Sequence, residues 1–414
     1  MLSQKERLRL SQISGLLYKI SKKVRILRHL AWPSSVRYKF FRLGSEKLPE
    51  ISYPLFNSEE LIFELKNVRK KLGDLSIDKW LLKKTNDLED SVNLLSNCGS
   101  PDFYKYSANI YGTPKSKLRD GRTTPMQLSK RFESIMLNQK KVGVEQLDKK
   151  PIDVLEIKNK IEEKVHKFFG SKSPEVLIVD SISAKATASS RKIRLRKNAI
   201  FTDRDVAQLF NHEAMVHVAT TLNGRNQHKM KILGGNYGSI TKTQEGLAVF
   251  SEFITGSIDI KRMYRIINRV KAIQMAIDGA DFIEVYRYFL DRNKLKTEAF
   301  ENARRIFRGG VLSGGYPFTK DMVYFDGLVR VYNFIRAAMS NGRLDVLKLL
   351  FSGKIDLDDI PIILEMDKEG LINKPKFLPS WIIDKEYLTS FFSFSIFVGE
   401  IDHQKTDDYY KKLF

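Results

Sequence analysis

Residues 211–217 read Asn-His-Glu-Ala-Met-Val-His, and residues 244–248 read Gln-Glu-Gly-Leu-Ala. Histidine is scarce in this chain: only His29, His166, His212, His217, His228 and His403 occur, and two of them share the first stretch with Glu213 beside the first. Hydrolytic zinc sites take three protein ligands, often two His and one Glu, and keep a fourth position for water. The ion makes hydroxide available near neutral pH, and a neighbouring carboxylate carries the proton to the leaving group. The first stretch therefore reads as a metal-and-base constellation, and the second offers a carboxylate for the remaining ligand position. Together they read as a zinc hydrolase site.

The spacing carries a structural expectation. In an H-E-x-x-H helix the two histidines are four apart and share one face. Here they are five apart, and on a regular α-helix they would diverge by about 140°. Both reach one ion only if the turn widens, which a π-bulge accomplishes, often at functional sites. A widened turn between His212 and His217 is thus predicted. Thr202 with Asp205 three residues later resembles a capping box that starts this helix, and Asn223-Gly224 marks its end.

His-Glu-x-x-x-His followed by Gln-Glu-Gly-Leu-Ala resembles the signature of the QEGLA-motif proteins, the family that includes the microtubule-associated tyrosine carboxypeptidases. Other pieces agree: the run from Phe201 to Gly224, Phe307-Arg308-Gly309-Gly310, Pro317-Phe318-Thr319-Lys320-Asp321 with Tyr324, and Leu48-Pro49-Glu50-Ile51-Ser52-Tyr53-Pro54. The resemblance covers roughly residues 45–370. It implies one zinc ion per chain on His212, His217 and Glu245, with Glu213 as general base. Glu252, seven residues after Glu245, could share its helix face and compete as ligand, or accept a hydrogen bond from a ligand histidine. The implied fold is α+β and predominantly helical, a gluzincin-like zinc peptidase core with a small antiparallel sheet beside the metal helix.

The activity that the resemblance implies is a metallocarboxypeptidase removing a C-terminal, aromatic residue from an acidic protein tail. Such a reaction needs an electrophile for the oxyanion, a role that suits Tyr324 or Tyr316. It also needs a cation for the substrate's terminal carboxylate, which arginine matches bidentately. Arg308 and Arg305 are candidates, with Lys320 as another, and Arg305 is equally a candidate for a structural ion pair. His228, in a loop, could touch substrate or simply face solvent.

The chain carries 71 Lys and Arg against 49 Asp and Glu, a formal net charge of +22. That field attracts anionic partners: nucleic acid, membrane surfaces or acidic polypeptide tails. Residues 1–50 hold twelve of the cations and only three acids, with Ile13, Leu16, Leu17, Ile20 and Val24 at helical spacing. Such a basic amphipathic helix is expected to meet an anionic membrane or an acidic partner, a solvated extension being the alternative. A basic nucleic-acid-binding or regulatory protein with a structural metal site is the second reading of the whole chain. Nucleic acid is not the expected partner, because binding it would leave His212, Glu213, His217 and Glu245 without a purpose.

Cys98 stands alone, so no intramolecular disulfide and no cysteine zinc site can form. A reducing, cytoplasmic setting fits, as does the lack of a signal-peptide pattern. The most apolar late run, Leu388 to Val398, is too short to span a bilayer and is expected to be buried.

Four regions follow from the order of motifs: a basic helical segment at 1–47, a helical region at 48–170, the metallopeptidase core at 171–370 and a C-terminal segment at 371–414. Helices are expected from Ser58 to Leu72, Ile77 to Leu95, Pro151 to Gly170, Asp259 to Ile277, Phe282 to Leu290, Thr297 to Arg308 and Asp321 to Met339. Residues 99–125, rich in Gly, Pro, Ser and Lys, read as a long loop. Val176–Val179 and Lys192–Arg196 read as strands, and Ile193 to Lys197 is the expected edge for adding a substrate strand. The glycines of Gly234-Gly235-Asn236-Tyr237-Gly238 lack the lysine and serine of a nucleotide loop.

Overall fold

Apart from the exposed Leu16, the apolar stripe of the first helix, Gln4–Lys23, faces inward. Leu10, Ile13, Leu17 and Ile20 are at most 2% exposed and join the main core, while Lys19, Lys22 and Lys23 stay outside. The helix packs on Ser76–Ser96 and on the turn Lys231–Gly234. The face that would have lain on a membrane is inside the protein. This computed structural model describes residues 2–141, 151–180, 182, 184–293 and 295–411; Met1 of the basic segment lies outside them.

The fold is predominantly helical, and most expected helices form within a few residues of their expected ends. The expected long loop is an exception, because residues 101–111 form a helix, Pro101–Tyr111. Pro101 occupies the first turn, where a missing N–H is harmless, and Phe103, Ser107 and Tyr111 make a buried stripe at four-residue spacing. The turn-rich composition around it masked a period that is mostly aromatic and hydroxyl. The run Leu388–Val398 also departs from expectation: it is helical, yet only Leu388 and Phe392 are buried, and Phe394 and Phe397 are 66% and 61% exposed. Among the described residues no helix is long and apolar enough to cross a membrane.

The sheet is mixed, not antiparallel. Strands β1 (Glu175–Val179), β2 (Ala186–Ala188) and β3 (Lys192–Arg196) are ordered β1-β3-β2. A tight turn folds β2 antiparallel onto β3, leaving the other edge of β3 to take β1 in parallel. Because β3 is central and paired on both sides, and Lys197 N bonds Val179 O at 2.9 Å, the expected substrate-binding edge Ile193–Lys197 is not an edge; the outer strands are β1 and β2. Ile193 and Leu195 point into a second core with Ile157, Ile161 and Val165 of the helix Val154–Phe169.

The metal-motif helix lies between the two cores. Ala214, Val218 and Ala219 pack on the sheet side, whereas Val216 packs into the main core. Behind it, the helix Thr241–Ile254 crosses the helix Met322–Ser340 at Gly246 and Gly327. A Cβ on Gly246 would sit 2.4 Å from the carbonyl of Gly327, and one on Gly327 2.3 Å from the carbonyl of Lys242. The glycine of Gln-Glu-Gly-Leu-Ala is therefore required by backbone proximity, since no methyl group fits. Gly246→Ala is expected to cost about 1–3 kcal/mol by overpacking, read as a lowered midpoint in urea unfolding. An unchanged midpoint would show that the two helices separate easily.

Candidate metal centre

The helix that carries the first motif begins as the sequence suggested. Thr202 donates from N–H and Oγ1 to Asp205 Oδ2 at 2.8 and 2.9 Å, and Lys185 Nζ holds the same carboxylate at 2.9 Å. After Asp203–Leu209, residues Phe210–Val218 form a π-helix before the α-helix resumes at Ala219–Arg225. With i→i+5 bonding, positions five apart fall on one face, so the expected widening is present. The rings of His212 and His217 lie with centroids 5.0 Å apart and planes at 81°.

Glu245, from the facing helix, meets both rings. Its Oε2 lies 3.4 Å from His212 Nε2 and 3.5 Å from His217 Nε2. Two ligands each about 2.0–2.2 Å from a tetrahedral zinc are separated by roughly 3.4 Å. The spacing of these donors fits that ion, and one donor atom from each of the three residues lies within 4.8 Å of the others. Glu245 Oε2 is buried and has no hydrogen-bond partner, a costly state for a carboxylate oxygen unless a cation meets it. Among the described residues no other group of this kind assembles.

The competing carboxylate has a different place. Glu252 Oε1 accepts from His212 Nδ1 at 2.6 Å, and Arg262 binds the same carboxylate at 3.1 and 3.2 Å. The bond to Glu252 fixes Nδ1 as a donor and turns Nε2 toward Glu245, so that Nε2 is the nitrogen a metal would bind in exchange for its proton. Burial alone would push the His212 imidazole down, but Glu245 and Glu252 outweigh it and raise it to about 10. Burial pushes the Glu252 carboxyl up, and Arg262 with His212 overrides that and lowers it to about 2. Glu245 is likewise held well below the carboxylate range, against its burial, by Lys320 and the two histidines. Each carboxylate of the pocket is thus held ionised by a neighbouring cation. Glu213 is buried, and no hydrogen-bond or ion-pair partner for it occurs among the described residues.

Of the remaining candidates, Lys320 touches this centre, Tyr324 lies on the helix Met322–Ser340, and Arg305 and Arg308 lie at the end of the helix Lys296–Phe307. Lys320 Nζ is 3.5 Å from Glu245 Oε1 and 5.5 Å from the ring centre of Tyr324. Tyr324 OH accepts from Arg305 Nη2 at 3.1 Å. Arg305 is committed to Asp321 through two bonds of 2.6 and 2.9 Å, so its fork is already filled. Arg308 is buried, its Nε unpartnered, with its guanidinium 5.6 Å from the ring centre of Phe318. Burial, then repulsion from Arg305, pushes Arg308 down to about 10, so it stays cationic at neutral pH. Tyr316 is 41% exposed, edge-on to Tyr104; His228 faces solvent.

The outlying motifs also meet. Tyr53, from Leu48–Pro54, accepts from Gly309 N at 2.6 Å and from Trp32 Nε1 at 2.8 Å. Gly309 has φ 83°, and a Cβ there would strike Phe103 at 2.4 Å. Phe318 N then bonds Ile306 O at 2.7 Å, fastening Pro317–Asp321 against the helix that carries Arg305. Sequence reasoning missed the Glu252–Arg262 pair and the Arg269–Asp321 contact at 3.4 Å; Arg262, Arg265 and Arg269 in an otherwise apolar-faced helix were the available signal.

A sequence model described as microtubule-associated tyrosine carboxypeptidase matches residues 38–400. The chain belongs to that family. The family is one of carboxypeptidases, which agrees with the resemblance carried by the two central motifs. No curated protein matches the chain. Among solved structures, a Colwellia psychrerythraea protein described as a lipoprotein is similar at 13% identity and a TM-score of 0.43, covering 90% of this chain and 77% of its own. That likeness is too weak to carry any argument, and the carboxypeptidase family membership rests on the sequence match alone.

Proposed function

We propose that this chain is a zinc-dependent carboxypeptidase that removes a C-terminal aromatic residue from an acidic protein tail. The observation that carries the reading is the convergence of His212, His217 and Glu245 at tetrahedral spacing beside a buried, unpaired Glu213. When bound there, zinc would supply Lewis acidity to the scissile carbonyl and acidify the attacking water. The Glu213 carboxylate takes the proton from that water and returns it to the amine of the departing residue. Tyr324, whose oxygen accepts from Arg305, keeps its own proton free to donate to the developing oxyanion; Tyr316 is the more exposed candidate for that role. Arg308, cationic and with no carboxylate partner among the described residues, would receive the terminal carboxylate, and Lys320 steadies Glu245. Glu252 faces the other nitrogen of His212, and among the described residues no fourth protein ligand joins the three donors, as suits a catalytic centre.

The test uses the full chain, zinc-loaded, and an acidic peptide ending in tyrosine. Mass spectrometry is expected to show the loss of one residue, abolished by a chelator and restored by zinc. Internal fragments in place of the single-residue loss would sink the carboxypeptidase reading.

A further inference from the structure

Glu252 sits near the end of the helix Thr241–Ile254, and the chain then doubles back on it. Gly256 turns with φ 64°, and the N–H groups of Ser257 and Ile258 both donate to Glu252 O, at 2.9 and 3.0 Å. Asp259 caps the next helix, Ile260–Ile277, by accepting from Arg262 N at 2.6 Å. That cap holds Arg262 in the first turn, where its side chain meets Glu252: Nη2 donates to Oε1 at 3.1 Å and Nε to Oε2 at 3.2 Å. The same loop is tied to the metal-motif helix. Asn211 Nδ2, one residue before His212, donates to Thr255 Oγ1 at 2.9 Å.

Arg262 is therefore two hydrogen bonds away from a candidate metal ligand. Its fork spans both oxygens of the buried Glu252, and Glu252 Oε1 in turn accepts from His212 Nδ1 at 2.6 Å. A planar fork fixes the rotation of a carboxylate as well as its position, and the carboxylate orients the imidazole. The guanidinium carbon also lies 5.6 Å from the ring centre of Tyr324, within the reach of a cation–π contact. Three more cations, Arg269, Arg305 and Lys320, lie 5.7, 5.8 and 5.5 Å from that centre. Arg269 and Arg305 face Asp321, and Lys320 faces Glu245. Of the four, Arg262 is the one that meets the carboxylate behind His212.

We propose that Arg262 is a positioning residue shared by the two halves of the site: through Glu252 it sets the His212 ring for the ion, and through the Tyr324 ring it sets the oxyanion donor. The His212 half needs only the metal centre. The Tyr324 half rests on the carboxypeptidase reading, because it is expressed in turnover alone. A simpler role for the same arginine is to neutralise the buried Glu252, and a lysine would fill that role. Lysine carries its charge at one point and cannot span two oxygens or lay a plane against a ring. Arg262→Lys therefore separates positioning from neutralisation.

The experiment measures metal binding and turnover separately, on the full chain. Zinc affinity is read by competition with a chelating dye, and kcat and KM on the zinc-saturated chain with the tyrosine-ending acidic peptide. Arg262→Lys is expected to keep the wild-type urea midpoint, since the charge stays. It is expected to weaken zinc binding about tenfold, the lower end of the range for losing a partner behind a ligand, and to lower kcat several-fold with KM unchanged. In a Glu252→Gln background the same change should cost little further zinc affinity, and in a Tyr324→Phe background little further kcat, because each path is already cut. Wild-type zinc affinity and kcat in Arg262→Lys would overturn the positioning role and leave Arg262 a counter-ion. Full, additive losses in both backgrounds would overturn it as well, since Arg262 would then act through the fold at large. A wild-type chain that releases no tyrosine removes the carboxypeptidase reading and the Tyr324 half with it, while the zinc affinities still decide the His212 half.

Discussion

Glu213→Gln is expected to keep about one zinc per chain and to lose roughly 10²–10⁴ in kcat, the range for removing a general base. His217→Ala, by contrast, is expected to lose the metal and the activity together. The division follows from where the two side chains point. His217 Nε2 faces Glu245 at 3.5 Å and is one of the three donors that converge among the described residues, so its removal leaves two of them. Glu213 makes no bond to another described residue, and glutamine has its shape, so the fold loses nothing by the exchange. Metal analysis by mass spectrometry, beside steady-state rates on the tyrosine-ending peptide, reads both. A Glu213→Gln chain that is fully active would remove the base assignment. One that has lost zinc would make Glu213 a ligand, contrary to its separation from the three-donor group.

Much of this site was legible because its constraints are local. A spacing of five between histidines demanded a turn that only a π-helix gives, and Phe210–Val218 is that turn. Thr202 and Asp205 announced the helix start through a bond spanning three residues. Gly309 announced a helix end through a backbone angle that other residues avoid. What stayed hidden depends on distant partners. Nothing near Ala186-Thr187-Ala188 marks a strand, because three small residues have no readable period; only pairing with β3 makes them one. That omission made the sheet look antiparallel and left β3 looking like an edge. The exposure of Phe394 and Phe397 was equally unreadable, since an aromatic residue in a helix carries no label for the side its neighbours cover.

The same contrast governs Asp321, which the sequence presented as one letter of Phe-Thr-Lys-Asp and the structure shows as the counter-ion of a buried arginine cluster. Asp321 is 1% exposed, takes both bonds of Arg305 and lies 3.4 Å from Arg269. Burial pushes its carboxyl up, and Arg305 with Arg269 more than reverses this, holding it well below the usual carboxylate range. A depressed carboxyl contributes stability that is present above the ordinary aspartate pKa, near 3.9, and is lost as pH falls through the folded-state value. Arg269, pushed down to about 9 by burial and then by Arg305, is a second buried cation that Asp321 helps to hold charged. Removing one partner of a buried pair leaves an uncompensated charge and costs about 3–5 kcal/mol. Asp321→Ala is therefore expected to reduce the unfolding free energy by that amount at neutral pH, read as a lowered urea midpoint with an unchanged slope. It is also expected to lower kcat, because Arg305 would no longer hold Tyr324. The double change Asp321→Ala with Arg305→Met should recover part of the stability, since it removes one of the stranded cations, but not the activity. Recovery of both would mean that Arg305 does nothing for Tyr324 beyond filling space. A loss below 1 kcal/mol in the single variant would mean that water reaches the cluster and screens it.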